Sequence, residues 1–212
     1  MITICYFDVS DLNDENLYNN LSSTIPAERI EVMQKLKNKN DRLLSLGSFL
    51  MLGETLKRNG LALCDIEIYK TDKGKPLIKG DNLFFSLSHS CSIAICALSD
   101  KPVGVDVQIV KCIKNDVAKK YFTQSENDIL NNSENKKDTF FRLWTAKEAY
   151  SKLTGDGIAS FKDFSVRLGA KPCIEEDKSC NITEIEVDGY RICICAEAND
   201  EARLEKVDVC KI

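Results

Sequence analysis

The sequence predicts an α+β protein built from two similar halves, and three paired observations point to it. Two twenty-residue apolar-periodic stretches, Asp41 to Gly60 and Asp138 to Gly157, each begin at Asp and end at Gly, as capped and stopped helices do. Behind each lies a strand-like piece, Asp65-Ile-Glu-Ile-Tyr-Lys and Asp163-Phe-Ser-Val-Arg-Leu, then a turn ending Lys75-Pro76 or Lys171-Pro172. Ser92-Ile-Ala-Ile-Cys-Ala then parallels Arg191-Ile-Cys-Ile-Cys-Ala. The matched segments are offset by 97, 96 and 99 residues, which reads as a duplicated helix-plus-hairpin unit. Strands in hairpins with helices packed alongside make the class α+β. No Ser/Gly/Pro-rich linker parts the halves. Ser99 to Gly104 is the expected junction, giving halves at 1–102 and 103–212.

Element by element, alternation predicts a strand at 2–9, then helices near 27–37 and 41–59 and strands near 64–71, 83–88 and 91–99. The second half opens with a strand at 103–110. Helices are expected near 114–121, 124–131 and 137–153, and strands near 163–168, 183–187, 190–197 and 206–211. Thr123-Gln-Ser-Glu126 has the spacing of a capping box. Asp188-Gly189 between alternating strands is a hairpin signal.

Composition bounds the function. Hydrophobic residues at 43% and charged residues at 29% describe a soluble globular chain. No apolar run approaches membrane-spanning length, and the strand-like N-terminus lacks a basic n-region, so the expectation is a cytosolic protein with no membrane partner. A net charge of −4 argues against non-specific nucleic-acid binding. A local basic cluster, Arg29, Lys35, Lys37, Lys39 and Arg42, is opposed only by Glu31 and Asp41. It is either a solvated helical face or a landing place for a polyphosphate. The ten cysteines contain no Cys-x-x-Cys pair. They are expected to be reduced, partly buried small hydrophobes rather than a zinc site.

The chemistry-bearing residues fall in two segments. In Trp144-Thr-Ala-Lys-Glu-Ala-Tyr-Ser-Lys152, Glu148 and Lys152 lie one helical turn apart. Taken alone that is an ordinary surface ion pair. However, Leu143, Ala146, Tyr150 and Leu153 form a core stripe while Phe141 and Trp144 lie off it, flanking Glu148. That pattern predicts a helix packed on both sides, with Glu148 in a crevice where it needs a cation. In Gly104-Val-Asp-Val-Gln-Ile-Val110, alternation puts Asp106 and Gln108 on one face. With Glu148 they make a candidate oxygen set for Mg²⁺, which takes one or two carboxylates and fills its other positions with water and phosphate. The competing reading is an edge strand with a polar outer face.

Together, the Gly-x-Asp-x-(Glu/Gln) strand and the later Trp-x-x-Lys-Glu-Ala-x-x-x-Lys helix resemble the 4′-phosphopantetheinyl transferases of the surfactin-synthetase-activating type. Gly74-Lys75-Pro76, Phe85-Ser-Leu-Ser-His-Ser90 and the helix opening at Asp41-Arg42 match in the same order, so the resemblance spans about residues 26 to 168. It implies a pseudo-dimer of two α/β halves with coenzyme A in the cleft between them. The implied reaction is attack by a serine hydroxyl of an apo acyl or peptidyl carrier protein on the coenzyme A pyrophosphate, releasing 3′,5′-ADP. Asp106, Gln108 and Glu148 would hold Mg²⁺. Glu148 and Lys152 would be catalytic, with Lys152 on a phosphate oxygen and Glu148 also a candidate acceptor of the serine proton, directly or through water. Arg42, Lys75, Ser88 and His89 would bind the nucleotide phosphates, with one of Arg29, Lys35 and Lys37 beside them. His89, the only histidine, is therefore not assigned as a general base. Gln108 departs from the commoner Glu and brings no charge to the metal. Two other classes stay open: a non-catalytic carrier-protein binder and a metal-dependent nucleotide hydrolase.

Overall fold

A computed structural model describes the chain except at residues 81, 112, 114, 115, 198 and 199. The first half runs β1 (Ile2–Asp8), α1 (Glu15–Ser22), α2 (Ala27–Gln34), α3 (Lys39–Arg58), a short hairpin of β2 (Ile68–Lys70) and β3 (Pro76–Ile78), and a long hairpin of β4 (Phe84–Ser90) and β5 (Ile93–Ser99). The second half repeats the plan. It runs β6 (Val103–Ile109), α4 (Val117–Tyr121), α5 (Gln124–Asn132), α6 (Lys136–Thr154), a short hairpin of β7 (Val166–Arg167) and β8 (Cys173–Ile174), and a long hairpin of β9 (Asn181–Val187) and β10 (Tyr190–Ala196). A last strand, β11 (Ala202–Lys206), closes it.

The duplication read from the sequence recurs in the sheets. One half orders its strands β1-β5-β4 and the other β6-β10-β9, antiparallel throughout. The repeated unit therefore includes an opening strand, which the helix-plus-hairpin reading left out. β11 breaks the symmetry by pairing parallel to the free side of β1, Ile2 opposite Ala202.

Both inner strands are buried on both faces, so the molecule is layered α–β–β–α. Cys5, Phe7, Ala94, Cys96 and Leu98 pack beneath α3, and Cys193 and Cys195 pack beneath α6. Ile4, Tyr6, Ile95, Val105, Val107, Ile192 and Ile194 meet between the two sheets. Alternation assigns each strand residue to one layer or the other.

Several local signals hold and others shift. Thr123 and Glu126 form the capping box, and Asp188 and Gly189 make the hairpin turn with positive φ at both. Gly60 (φ 75) stops α3, its N–H on Lys57 O and that of Leu61 on Leu56 O, a Schellman arrangement. The helix caps, however, are Asn38 and Asn135, three residues before the expected Asp41 and Asp138. Those aspartates sit in the first turn, where an acid favours the helix dipole. α6 stops at Gly155 (φ 84) rather than at Gly157. The strand expected at 206–211 lies at 202–206, since Val207 and Val209 alternate because they turn into the α3 core. The helix expected near 114–121 is described from Val117; residues 114 and 115 lie outside the described residues. The described cysteines are all free, and Cys5, Cys96, Cys180, Cys193 and Cys195 are buried. Among the described residues no helix is long and apolar enough to cross a membrane.

Candidate active site at the junction of the halves

Gly104 sets the site. A Cβ there would run into the Ala149 carbonyl oxygen and lie 2.6 Å from Leu153 N, so only glycine lets α6 settle directly on β6. Lys147 anchors the helix from its far side. Its ammonium is fully buried, 2.7 Å from both Glu126 Oε1 and Phe164 O and 4.2 Å above the Phe164 ring. With Lys147 turned inward, Glu148 and Lys152 are left facing Asp106 and Gln108 on β6. The sequence offered the Lys147 and Glu126 motifs separately but nothing that paired them.

Together with β4 and α2, these elements enclose a cavity of about 590 Å³ lined by Arg29, His89, Asp106, Gln108, Glu148 and Lys152 among others. Asp106 is 1% exposed. Its Oδ1 accepts from Ser88 Oγ and Lys152 Nζ, both at 2.7 Å, and its Oδ2 from Gln108 Nε2 at 3.1 Å. Lys152 Nζ also donates to Ser88 Oγ at 2.8 Å. Burial first, then the neighbouring Asp106 carboxylate, pushes the Glu148 pKa up to about 7, with Lys152 partly offsetting the rise.

Two carboxylates and one ammonium in a recessed cleft leave room for further positive charge. Among the described residues no group of three or more His, Cys, Asp or Glu side chains is arranged to hold a metal, which disfavours zinc-type ligation. Two carboxylates completed by water and phosphate is the way Mg²⁺ is held, so the donor set fits that ion. The Gln108 amide is turned otherwise than expected. Its NH₂ donates to Asp106, because a carboxylate can only accept, and its oxygen accepts from Ser90 Oγ at 3.4 Å.

The other sequence-selected residues separate. His89 stands at the cavity rim, its pKa pressed below the usual histidine value by desolvation and then by the Lys152 ammonium. Lys75 lines an adjoining cavity of about 300 Å³ that shares Glu148 and Lys152. Its ammonium donates to Leu153 O at 2.6 Å, at the C-terminal end of α6, and burial lowers its pKa. Arg42 points away from the cleft. Its guanidinium donates to Leu36 O at 2.8 Å and Lys37 O at 3.3 Å, carbonyls left open by the bend between α2 and α3. Of the three competing basic residues it is Arg29 that lines the cavity. Its Nη2 donates to Ser45 Oγ at 2.9 Å, its guanidinium stands 5.7 Å over the Phe49 ring, and its buried Nε has no hydrogen-bond partner among the described residues. The signal was its spacing: Arg29 lies one turn before Met33, the buried residue of α2.

Comparison with known proteins places the chain in a family. Residues 102–202, which carry Asp106, Gln108, Glu148 and Lys152, match the family described as the 4′-phosphopantetheinyl transferase superfamily. The 4′-phosphopantetheinyl transferase Sfp of Bacillus subtilis (strain 168) is 32% identical over 92% of this chain and 91% of its own length. The 4′-phosphopantetheinyl transferase gsp of Aneurinibacillus migulanus is 31% identical over 74% of this chain and 68% of its own. With that identity along nearly its whole length, and the family's acidic strand and Lys-Glu helix facing each other across one cavity, the chain belongs to the 4′-phosphopantetheinyl transferase superfamily.

Proposed function

We propose that the protein transfers the 4′-phosphopantetheine arm of coenzyme A to a serine hydroxyl of an apo acyl or peptidyl carrier protein, in the cytoplasm and with Mg²⁺, releasing 3′,5′-ADP. The observation that carries this reading is the convergence of Asp106, Glu148 and Lys152 on one cavity in a chain of this family. The serine oxygen attacks the phosphorus bearing the pantetheine arm. The bond from that phosphorus to the bridging oxygen breaks, and 3′,5′-ADP leaves with the electron pair. Such transfers depend mainly on positioning and on neutralising charge.

Asp106 and Glu148 are the residues that would hold the metal. Mg²⁺ supplies positive charge to the pyrophosphate when bound. Lys152 adds an ammonium from the same helix face as Glu148. With its pKa near 7, Glu148 is suited to accept the serine proton, directly or through water. Arg29 and His89 face the part of the cavity suited to the nucleotide phosphates, and a guanidinium with an uncommitted N–H is a strong phosphate donor. Lys75 reaches the same helix from the other half. On this reading residues 1–102 form the nucleotide wall and residues 103–212 carry the chemistry.

The test is to incubate the protein with coenzyme A, Mg²⁺ and a panel of apo carrier proteins and to weigh the carriers. A phosphopantetheinyl mass gain with release of 3′,5′-ADP is the expected result. Binding without mass gain would make the protein a carrier-protein binder, and coenzyme A breakdown without a carrier a hydrolase.

A further inference from the structure

β4 and β6 lie side by side at the edges of their sheets, yet no backbone ladder joins them. Three serines do so instead. The hydroxyls of Ser86, Ser88 and Ser90, alternate residues of β4, accept the backbone N–H groups of Val105, Val107 and Ile109 at 3.0, 3.3 and 3.1 Å. Each serine thus satisfies a β6 donor that would otherwise be unpaired at a buried sheet edge, and together they fix the register of one half on the other.

The middle rung has more partners than its neighbours. Ser88 Oγ accepts from Val107 N and from Lys152 Nζ, and it donates to Asp106 Oδ1. A serine hydroxyl has one proton and two lone pairs, so all its capacity is in use. Its one proton goes to Asp106, because a carboxylate can only accept.

We propose that Ser88 is a positioning residue for the metal-holding carboxylate: its hydroxyl fixes the rotamer of Asp106 and the place of Lys152 relative to β6. Ser86, one rung away, holds register through Val105 N–H and makes no hydrogen bond to either side chain among the described residues. This rests on the Mg²⁺ reading above. Hydrogen-bond partners behind metal ligands typically contribute about 10- to 100-fold to metal affinity.

The experiment titrates the full-length chain with Mn²⁺ alone, following the free-ion signal by electron paramagnetic resonance. Wild type, Ser86→Ala, Ser88→Ala and Ser88→Cys are compared, with melting curves for each. Removing the Ser88 hydroxyl should weaken Mn²⁺ binding about tenfold. Ser86→Ala should lower the melting temperature but leave Mn²⁺ affinity within about twofold, as expected when no group near the ligand is changed. The thiol of Ser88→Cys keeps the side chain in place but is a weak donor, so the same loss is expected from it if the alanine variant fails to fold. Unchanged Mn²⁺ affinity in a folded Ser88 variant overturns the proposal. A wild-type chain that binds no Mn²⁺ overturns the metal reading and this inference together.

Discussion

The two halves are built on one plan, yet one places a core where the other places chemistry. Cys5 pairs with Cys96 in the first sheet as Gly104 pairs with Cys195 in the second. Carried along the strands, that register sets Phe7 in the place of Asp106 and Val9 in the place of Gln108. The helix offset likewise sets Met51 against Glu148 and Thr55 against Lys152. Phe7 on β1 and Met51 and Thr55 on α3 are all fully buried. The first helix therefore stands on side chains, whereas the second lies on bare backbone at Gly104. Direct contact leaves no apolar filling between α6 and β6 at that point, and the polar side chains that flank it open onto the cleft. The same frame thus yields a greasy seam or a charged pocket depending on a single Cβ and four side-chain identities.

The largest effect should come from exchanging the roles of matched positions. Asp106→Ala and Glu148→Ala are each expected to slow carrier modification by about a hundredfold, as for groups stabilising transition-state charge, while leaving the thermal transition cooperative. Met51→Ala should do the reverse, costing about 2–5 kcal/mol of stability with normal turnover in the fraction that stays folded. Chemical denaturation beside steady-state rates separates the two patterns. Equal destabilisation at Met51 and Glu148 would mean that the second seam is a core like the first.

Gly104→Ala tests the close approach itself. Overpacking at this site should cost about 1–3 kcal/mol or more and cut turnover, because α6 must lift off β6. Gly47, which lies in α3 over the first sheet, is a control. A Cβ there meets Val9 Cγ1 at 2.7 Å and Phe7 ring atoms at 3.0 Å, side chains that can move. Gly47→Ala should therefore preserve turnover, the local crowding partly offset by about 1 kcal/mol of helix propensity. If both variants lose activity alike, helix contact in the second half has no special role.

At the nucleotide wall, Arg29→Ala should weaken coenzyme A binding by about 1.5–3 kcal/mol, measured by calorimetry. Arg42→Ala should change it little, since that guanidinium is spent on Leu36 and Lys37 carbonyls. The opposite ranking would return Arg42 to the cleft.

The smallest effect concerns pH. Glu148 ionises near 4.5 when unfolded and near 7 in the native cleft. Between those values the native state holds the extra proton, so its stability should fall as pH rises through that window. Glu148→Gln should remove that slope, and the difference between the two stability curves isolates it from His89, whose lowered pKa acts in the opposite direction. Saturating Mg²⁺ should flatten the wild-type curve near pH 7 by favouring the charged carboxylate.

The long helices, the long hairpins and the duplication were legible because each follows from periodicity or spacing, whereas the facing of Asp106, Glu148 and Lys152 was expected only once the family resemblance joined their two segments. α1 was not, since Leu17, Tyr18 and Leu21 make too short an apolar face, and its clearest mark is the Asp14 cap. β3 and β8 are three and two residues long, too brief for alternation. Side-chain direction was the harder loss. Arg42 opens the expected helix but spends its donors on the preceding bend, and Lys75 crosses to α6; neither path is visible from local sequence. The Ser-x-Ser-x-Ser pattern of β4 was plain, but its meaning depended on β6 lying alongside.

The pairing of β11 with β1 bears on how this chain acquires its fold. β1 is made long before β11, so its outer edge is covered only when Ala202–Lys206 emerges, with Ile2 N–H then bonded to Glu201 O at 2.9 Å and Val207 N–H to Tyr6 O at 2.8 Å. During synthesis the first sheet waits with an open strand edge, a site prone to mispairing. Closing it joins segments at opposite ends of the described chain, a contact of high order that slows folding. Cutting at residue 102 should therefore not release two autonomous domains, because the first piece would lack a strand held by the second.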